Sequence, residues 1–94
     1  MTLSVITPRH IALMRHALGL PDQVTEGARS YRNHYYVFGD SCKSWRIWTG
    51  LVALGLAEQT EQIDRGMTGF RLTRAGAERA IGPGEILDSE EFPG

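Results

Sequence analysis

Two sets of side chains in this sequence have the types and spacing needed to contact another molecule. The first is Lys43, Arg46, Thr49 and Gly50. On a helix these intervals of three and four residues share one wall. That wall carries two cations, a hydroxyl and a bare stretch of backbone. Such a combination suits duplex DNA, because the cations reach phosphates or guanine edges and Gly50, with Ala53, lets the backbone approach. Arg29 and Arg32 before this segment, and Arg71 and Arg74 after it, are further phosphate candidates. The ordinary alternative is the solvated wall of an amphipathic helix. Glu58, Glu61 and Asp64 follow closely and repel phosphate, with only Arg65 beside them to offset the charge.

The second set lies in Tyr31-Arg32-Asn33-His34-Tyr35-Tyr36-Val37-Phe38. Tyrosines interleaved with Arg32 and His34 can stack nucleic-acid bases. Equally, Arg32, His34, Tyr35 and Tyr36 are the residue types that anchor protein interfaces. The ordinary alternative is a half-buried strand whose aromatics fill a core while Arg and His face water.

Catalytic and metal chemistry find little to work with. Cys42 and His34 are a nominal nucleophile and base, but no third group or oxyanion donor accompanies them. His10 and His16 are six residues apart, about 240° around a helix, and so cannot share a metal. No Gly-rich phosphate loop follows a strand, and no carboxylate pair has a catalytic setting. The sequence reads as non-catalytic, with no cofactor.

These residues need elements to hold them. Thr7-Pro8 opens a helix over about residues 8–18, with Ile11, Met14 and Leu18 on one stripe and Gly19 as its stop. Leu13 and Ala17 lie off that stripe, so the helix is covered on more than one side. Residues 19–30 are turn-rich, and a short helix within 21–30 stays open. The Tyr31–Phe38 stretch reads as a strand ended by Gly39, with Tyr31, Asn33, Tyr35 and Val37 on one face.

Asp40 is placed to cap a second helix running to about Leu54, stopped by Gly55. Its apolar wall is expected to be Trp45, Trp48 and Val52, widened by Leu51 and Leu54, with both tryptophans in the core. Residues 56–62 and 70–73 read as two strands around a glycine-containing turn. Thr73 caps a short last helix from Arg74 to about Ile81. Residues 82–94 hold proline, glycine and four acids (Glu85, Asp88, Glu90, Glu91), and read as a mobile acidic tail after a single domain over 1–81. Ile86, Leu87 and Phe92 are the residues of that tail able to dock.

The order helix, extended segment, helix, hairpin, helix resembles a winged helix-turn-helix. The resemblance is carried by Leu51-Val52-Ala53-Leu54-Gly55-Leu56-Ala57 and by Phe70-Arg71-Leu72-Thr73-Arg74-Ala75-Gly76. There a glycine ends the recognition helix and an L-T-x-x-G step opens the next one. It implies a small winged-helix-like α+β domain of about three helices and a two- or three-stranded antiparallel sheet. A DNA-reading member also needs a helix before the recognition helix; here that must come from 21–30 or be replaced by the tyrosine-rich segment. Thr7-Pro8-Arg9, Leu18-Gly19-Leu20 and Ser30-Tyr31-Arg32-Asn33-His34 are similar to small prophage-encoded proteins of Gram-negative bacteria, which implies a phage or prophage origin.

The bulk numbers set bounds. Ninety-four residues make one small domain. Apolar residues at 41% and charged ones at 22% argue against wholesale disorder. One cysteine permits no internal disulfide. A cytoplasmic location is expected, since the sequence shows neither a secretory signal nor a membrane-length apolar run. Net charge is −1, but residues up to Ile81 carry +3 and the last thirteen −4. The pI near 6.3 lies well below the value of about 9 usual for a generic DNA binder. Two functions therefore remain: a DNA-associated regulator or accessory factor, or a phage factor that binds a host or defence protein. A homodimer stays open.

Overall fold

The computed structural model describes residues 6–38, 43–63 and 67–93, with only the backbone for 61–63. In chain order its elements are α1 (Pro8–Leu18), β1 (Tyr35–Phe38), α2 (Lys43–Ala53), β2 (Ala57–Ile63), β3 (Met67–Leu72) and α3 (Arg74–Ala80). The strands form an antiparallel sheet in the order β1-β3-β2. Among the described residues the chain is thus an α+β domain of three helices and a three-stranded sheet. None of those helices is long and apolar enough to cross a membrane.

Local chemistry fixes the helix ends. Thr7 caps α1 by accepting from the His10 amide, and His10 Nδ1 faces the Thr7 amide in return, taking the place of the usual Glu or Gln. Gly19 closes α1 at φ 78°, where the Leu20 amide donates to Arg15 and the Gly19 amide to His16. Gly55 closes α2 with the same pattern, Leu56 to Leu51 and Gly55 to Val52. The L-T-x-x-G step has a mechanical reason. Thr73 caps α3 through the Gly76 amide while its own amide and hydroxyl bond the carbonyls of Leu56 and Gly55. Gly76 then presses α3 onto the Leu56 carbonyl, where a Cβ has no room.

An aromatic stack fills the centre. Trp48 and Phe70 are fully buried and stack at 5.6 Å, Tyr35 also stacks on Trp48 at 5.3 Å, and Trp45 meets Phe70 edge-on at 5.7 Å. Met14, Leu18 and Leu51 close around them. Trp48 Nε1 is buried and finds no acceptor among the described residues.

Three expectations need correction. The buried stripe of α2 is Ile47, Trp48 and Leu51, centred on Leu51; Val52 lies about 100° further round and is exposed, as is Leu54. Trp45, at the other margin, is half-buried rather than core. The strand expected over 31–38 is confined to 35–38, because the Tyr31 and His34 amides instead satisfy the Leu18 and Ala17 carbonyls at the end of α1. The segment 21–30, left open by the sequence, forms no helix, so none lies between α1 and α2 in the described residues. Asp40, Gly39, Cys42 and the turn at 64–66 lie outside the described residues.

The largest correction concerns residues 82–93, which pack on the domain instead of trailing from it. Residues 27–30 and 84–88 form a short ribbon: the Gly27 amide bonds Gly84, Ile86 bonds Ala28, Ser30 bonds Ile86, and the Asp88 amide reaches Ser30 Oγ. Phe92 is buried and Leu87 half-buried against the core. Glu85 is buried too, forked onto the guanidinium of Arg15 at 2.5 and 2.7 Å. Its carboxylate also accepts from the Thr25 and Gly82 amides.

Those donors outweigh burial. The Arg15 hydrogen bonds, helped by the two amides, hold the Glu85 carboxyl at about 2, against an ordinary 4.5. A depressed carboxylate stabilises the fold fully above its unfolded pKa, and that stability is lost as pH falls towards the folded value. Wild-type protein is therefore expected to lose stability between pH 4.5 and about 2. Glu85→Gln, which strands a buried cation, should lose about 3–5 kcal/mol at neutral pH. It should also flatten that acid limb, as denaturant unfolding at stepped pH will read. Separately, Gly76→Ala should lower stability by about 1–3 kcal/mol through overpacking at Leu56, seen as a lower thermal midpoint.

Candidate interaction surface

The outer wall of α2 carries part of the DNA set. Lys43, Arg46 and Gly50 are exposed and Thr49 is half-buried, its hydroxyl donating back to the Arg46 carbonyl. A Cβ at Gly50 would meet open space. Neither Lys43 nor Arg46 forms an ion pair with the described residues. The wall thus offers two cations, a hydroxyl and accessible backbone.

Arg29 is exposed, while Arg32, Arg71 and Arg74 are engaged elsewhere. Arg74 donates Nη2 to the carbonyls of Phe92 and Pro93, at 2.8 and 2.7 Å, and faces Glu78 one turn along α3. Arg71 is paired with Glu58 across the exposed face of the sheet. Arg32 donates Nε and Nη2 to the His16 carbonyl at 3.2 and 2.7 Å, and its guanidinium carbon lies 5.4 Å from the centre of the Tyr31 ring. Such a cation belongs at a helix C-terminus, where the carbonyls carry the negative end of the dipole. Of the six residues proposed for DNA, four therefore share one wall. Arg32 and Arg74 serve α1 and the terminal segment.

The protein-binding set is brought together. Arg32, His34, Tyr35 and Tyr36 line one shallow pocket of about 290 Å³, and His16 completes it. The His16 ring meets Tyr35 edge-on at 5.6 Å, and His34 lies tilted over Tyr36 at 5.3 Å. Each side chain has a different support. Tyr35 is half-buried and backed by Trp48, so the floor of the pocket is continuous with the core. Tyr36 lies over Gly69 of β3, which has no room for a Cβ between Tyr36 and Thr60. Arg32 is held by the end of α1.

Asn33 sets the register of this segment. Its side-chain amide accepts from the Leu72 N–H at 2.8 Å and donates to the Leu72 carbonyl at 3.0 Å. An amide side chain has one acceptor and donors spaced like a peptide group, so it extends the β1–β3 ladder after the backbone has turned away. The exposed aromatics of this segment are Tyr31 (66% exposed), which lies against Arg32, Tyr36 (45%) and Phe38 (66%). The alternation of a single strand would put Tyr31 on one face with Asn33, Tyr35 and Val37. Tyr31 is exposed because the chain at 31–34 follows α1 instead of the sheet.

His16 and Asn33 are the residues that the spacing pattern did not single out for this surface. His16 had a faint signal, a basic residue in the last turn of a helix beside its glycine stop. Among the described residues no three His, Cys, Asp or Glu side chains gather as metal ligands. Cys42 lies outside them, so its pairing with His34 is not described. A second cleft, of about 480 Å³, lies between Ile6 and Ile11 on one side and Val24 and Ile81 on the other; it is mostly apolar.

Comparison with known proteins leaves the reading on this geometry: no family model, curated protein or solved structure matches the chain. The position of Arg74 makes a direct prediction. Arg74→Ala should release the Phe92–Pro93 end and lower stability by about 1 kcal/mol. Amide hydrogen exchange should then rise across residues 85–93 while that of α2 stays unchanged.

Proposed function

We propose that this chain is a small non-catalytic protein-binding module of phage type, working in the cytoplasm and capturing a partner through the aromatic face of β1. The observation that carries the reading is the convergence of Arg32, His34, Tyr35 and Tyr36, with His16, on one pocket in a segment that exposes further aromatics. Tyrosine and arginine dominate interface energetics because they bury large area with few rotatable bonds and still present a polar head. Tyr35 is immobilised on Trp48 and Arg32 on the His16 carbonyl, so little side-chain entropy remains to be lost on binding. The resemblance to small prophage-encoded proteins supports a bacterial host or defence protein as the partner.

DNA association through α2 is the second reading. It is favoured by one wall that joins the exposed Lys43, Arg46 and Gly50 with the half-buried Thr49. Two cations without an ion pair among the described residues supply few phosphate contacts, and Arg71, Arg74 and Arg32 are engaged with Glu58, Glu78 and backbone carbonyls.

Capture from a nuclease-treated lysate of a Gram-negative bacterium separates the two. Under the protein-binding reading, Tyr36→Ala and His34→Ala abolish capture of a defined partner, while Lys43→Ala and Arg46→Ala leave it intact. Under the DNA reading the wild type binds mixed-sequence duplex instead. Each α2 substitution then lowers the salt slope by about one.

A further inference from the structure

The pocket beside β1 has a chemical bias that exposed aromatics alone do not have. All five side chains lining it carry hydrogen-bond donors: the guanidinium of Arg32, the imidazoles of His16 and His34, and the phenols of Tyr35 and Tyr36. None of the five is an acid. We propose that this pocket is an anion subsite, taking a side-chain carboxylate from an acidic segment of the partner. The inference rests on the protein-binding reading above and gives that partner its chemistry.

Arg32 is the centre of the site. A guanidinium has five N–H donors, and Arg32 gives two groups, Nε and Nη2, to the His16 carbonyl. Nη1 makes no hydrogen bond to the described residues and remains for an incoming oxygen. The His16 carbonyl and the Tyr31 ring hold the fork in place, which is what makes an arginine selective for a planar, charged acceptor. The negative end of α1 is neutralised by Arg32 itself, so the helix terminus does not repel the ligand. His16 and His34 flank the position from α1 and from the approach to β1, and each is steadied by a tyrosine ring.

An acidic peptide fits this site better than a nucleic-acid strand. A strand needs a track of cations along its backbone. Here the basic residues of β3 and of the start of α3, Arg71 and Arg74, are tied to Glu58, Glu78 and the Phe92 and Pro93 carbonyls, which leaves no continuous track through them.

The test is an NMR titration of the full chain with a short acetylated polyglutamate peptide, using polyglutamine of equal length and a short oligothymidylate as comparators. Saturable shifts at His16, Arg32 Nε, His34 and Tyr36 with polyglutamate alone are expected. Arg32→Ala and His34→Ala should each weaken binding about tenfold or more, the loss expected for one charge-assisted hydrogen bond. The His34 side chain makes no hydrogen bond to the described residues, so His34→Ala keeps the fold even where Arg32→Ala loosens the end of α1. No saturable shift, an equal response to polyglutamine, unchanged affinity in His34→Ala, or tighter binding of oligothymidylate overturns the proposal. Loss of partner capture in Tyr36→Ala without polyglutamate binding removes the anion subsite and leaves the protein-binding reading. Polyglutamate binding with capture unaffected by Tyr36→Ala does the reverse.

Discussion

Arg15 and Glu85 meet in the interior, seventy residues apart in sequence, and the rest of the domain is arranged around them. Taking two charges out of water is costly unless every remaining donor and acceptor is met. Here they are. The Arg15 fork reaches the carbonyls of Pro21, Gln23 and Ala80 as well as both oxygens of Glu85, and Glu85 also accepts from Thr25 and Gly82. The pair therefore binds four separate pieces of chain: α1, the turns after it, the end of α3 and the terminal segment. A buried ion pair is weak evidence of net stability compared with apolar packing, but it permits only one arrangement of the pieces it joins.

That arrangement is what delivers the interaction surface. The terminal segment, pinned by Glu85, forms the ribbon that fixes residues 27–30. The next residues are Tyr31 and Arg32. From there the end of α1 takes the Tyr31 and His34 amides, Asn33 locks onto Leu72, and Tyr35 enters the aromatic stack. An exposed platform without helix or long strand is thus made rigid by four successive anchors. The stack of Tyr35, Trp48 and Phe70 carries this rigidity from the pocket into the core. Trp48 Nε1 is buried at this junction with no acceptor among the described residues.

Features set by neighbouring residues were legible in the sequence. The bounds of α1, its threonine cap, the two glycine stops and the Thr73 cap all depend on side chains within a few positions of the backbone groups they satisfy. The α+β class and the antiparallel hairpin follow from the same signals. Features set by distant partners were not legible. Four acids among prolines and glycines look solvated until Arg15 is known to face inward from α1. Likewise, Tyr31–Phe38 has the composition of one strand, yet its first half answers to the carbonyls of α1 rather than to β3. The position of Val52 was lost for a subtler reason: a helix rich in apolar residues admits several wheels, and the Trp48–Phe70 stack chooses among them. For the surface, the residue types around Arg32 and His34 pointed to an interface. Only tertiary structure joined His16 to them and withdrew Arg74 from the DNA set.

The claim on which this account turns is that Glu85 is an ionised, hydrogen-bonded part of the interior and that residues 82–93 belong to the domain. Carbon-13 NMR of the Glu85 carboxyl through an acid titration tests it directly. The resonance is expected to stay in its ionised position through the range where ordinary carboxylates titrate, near 4.5, and to move only as pH approaches about 2. A midpoint near 4.5, while the domain is still folded, would contradict it and return the segment to solvent.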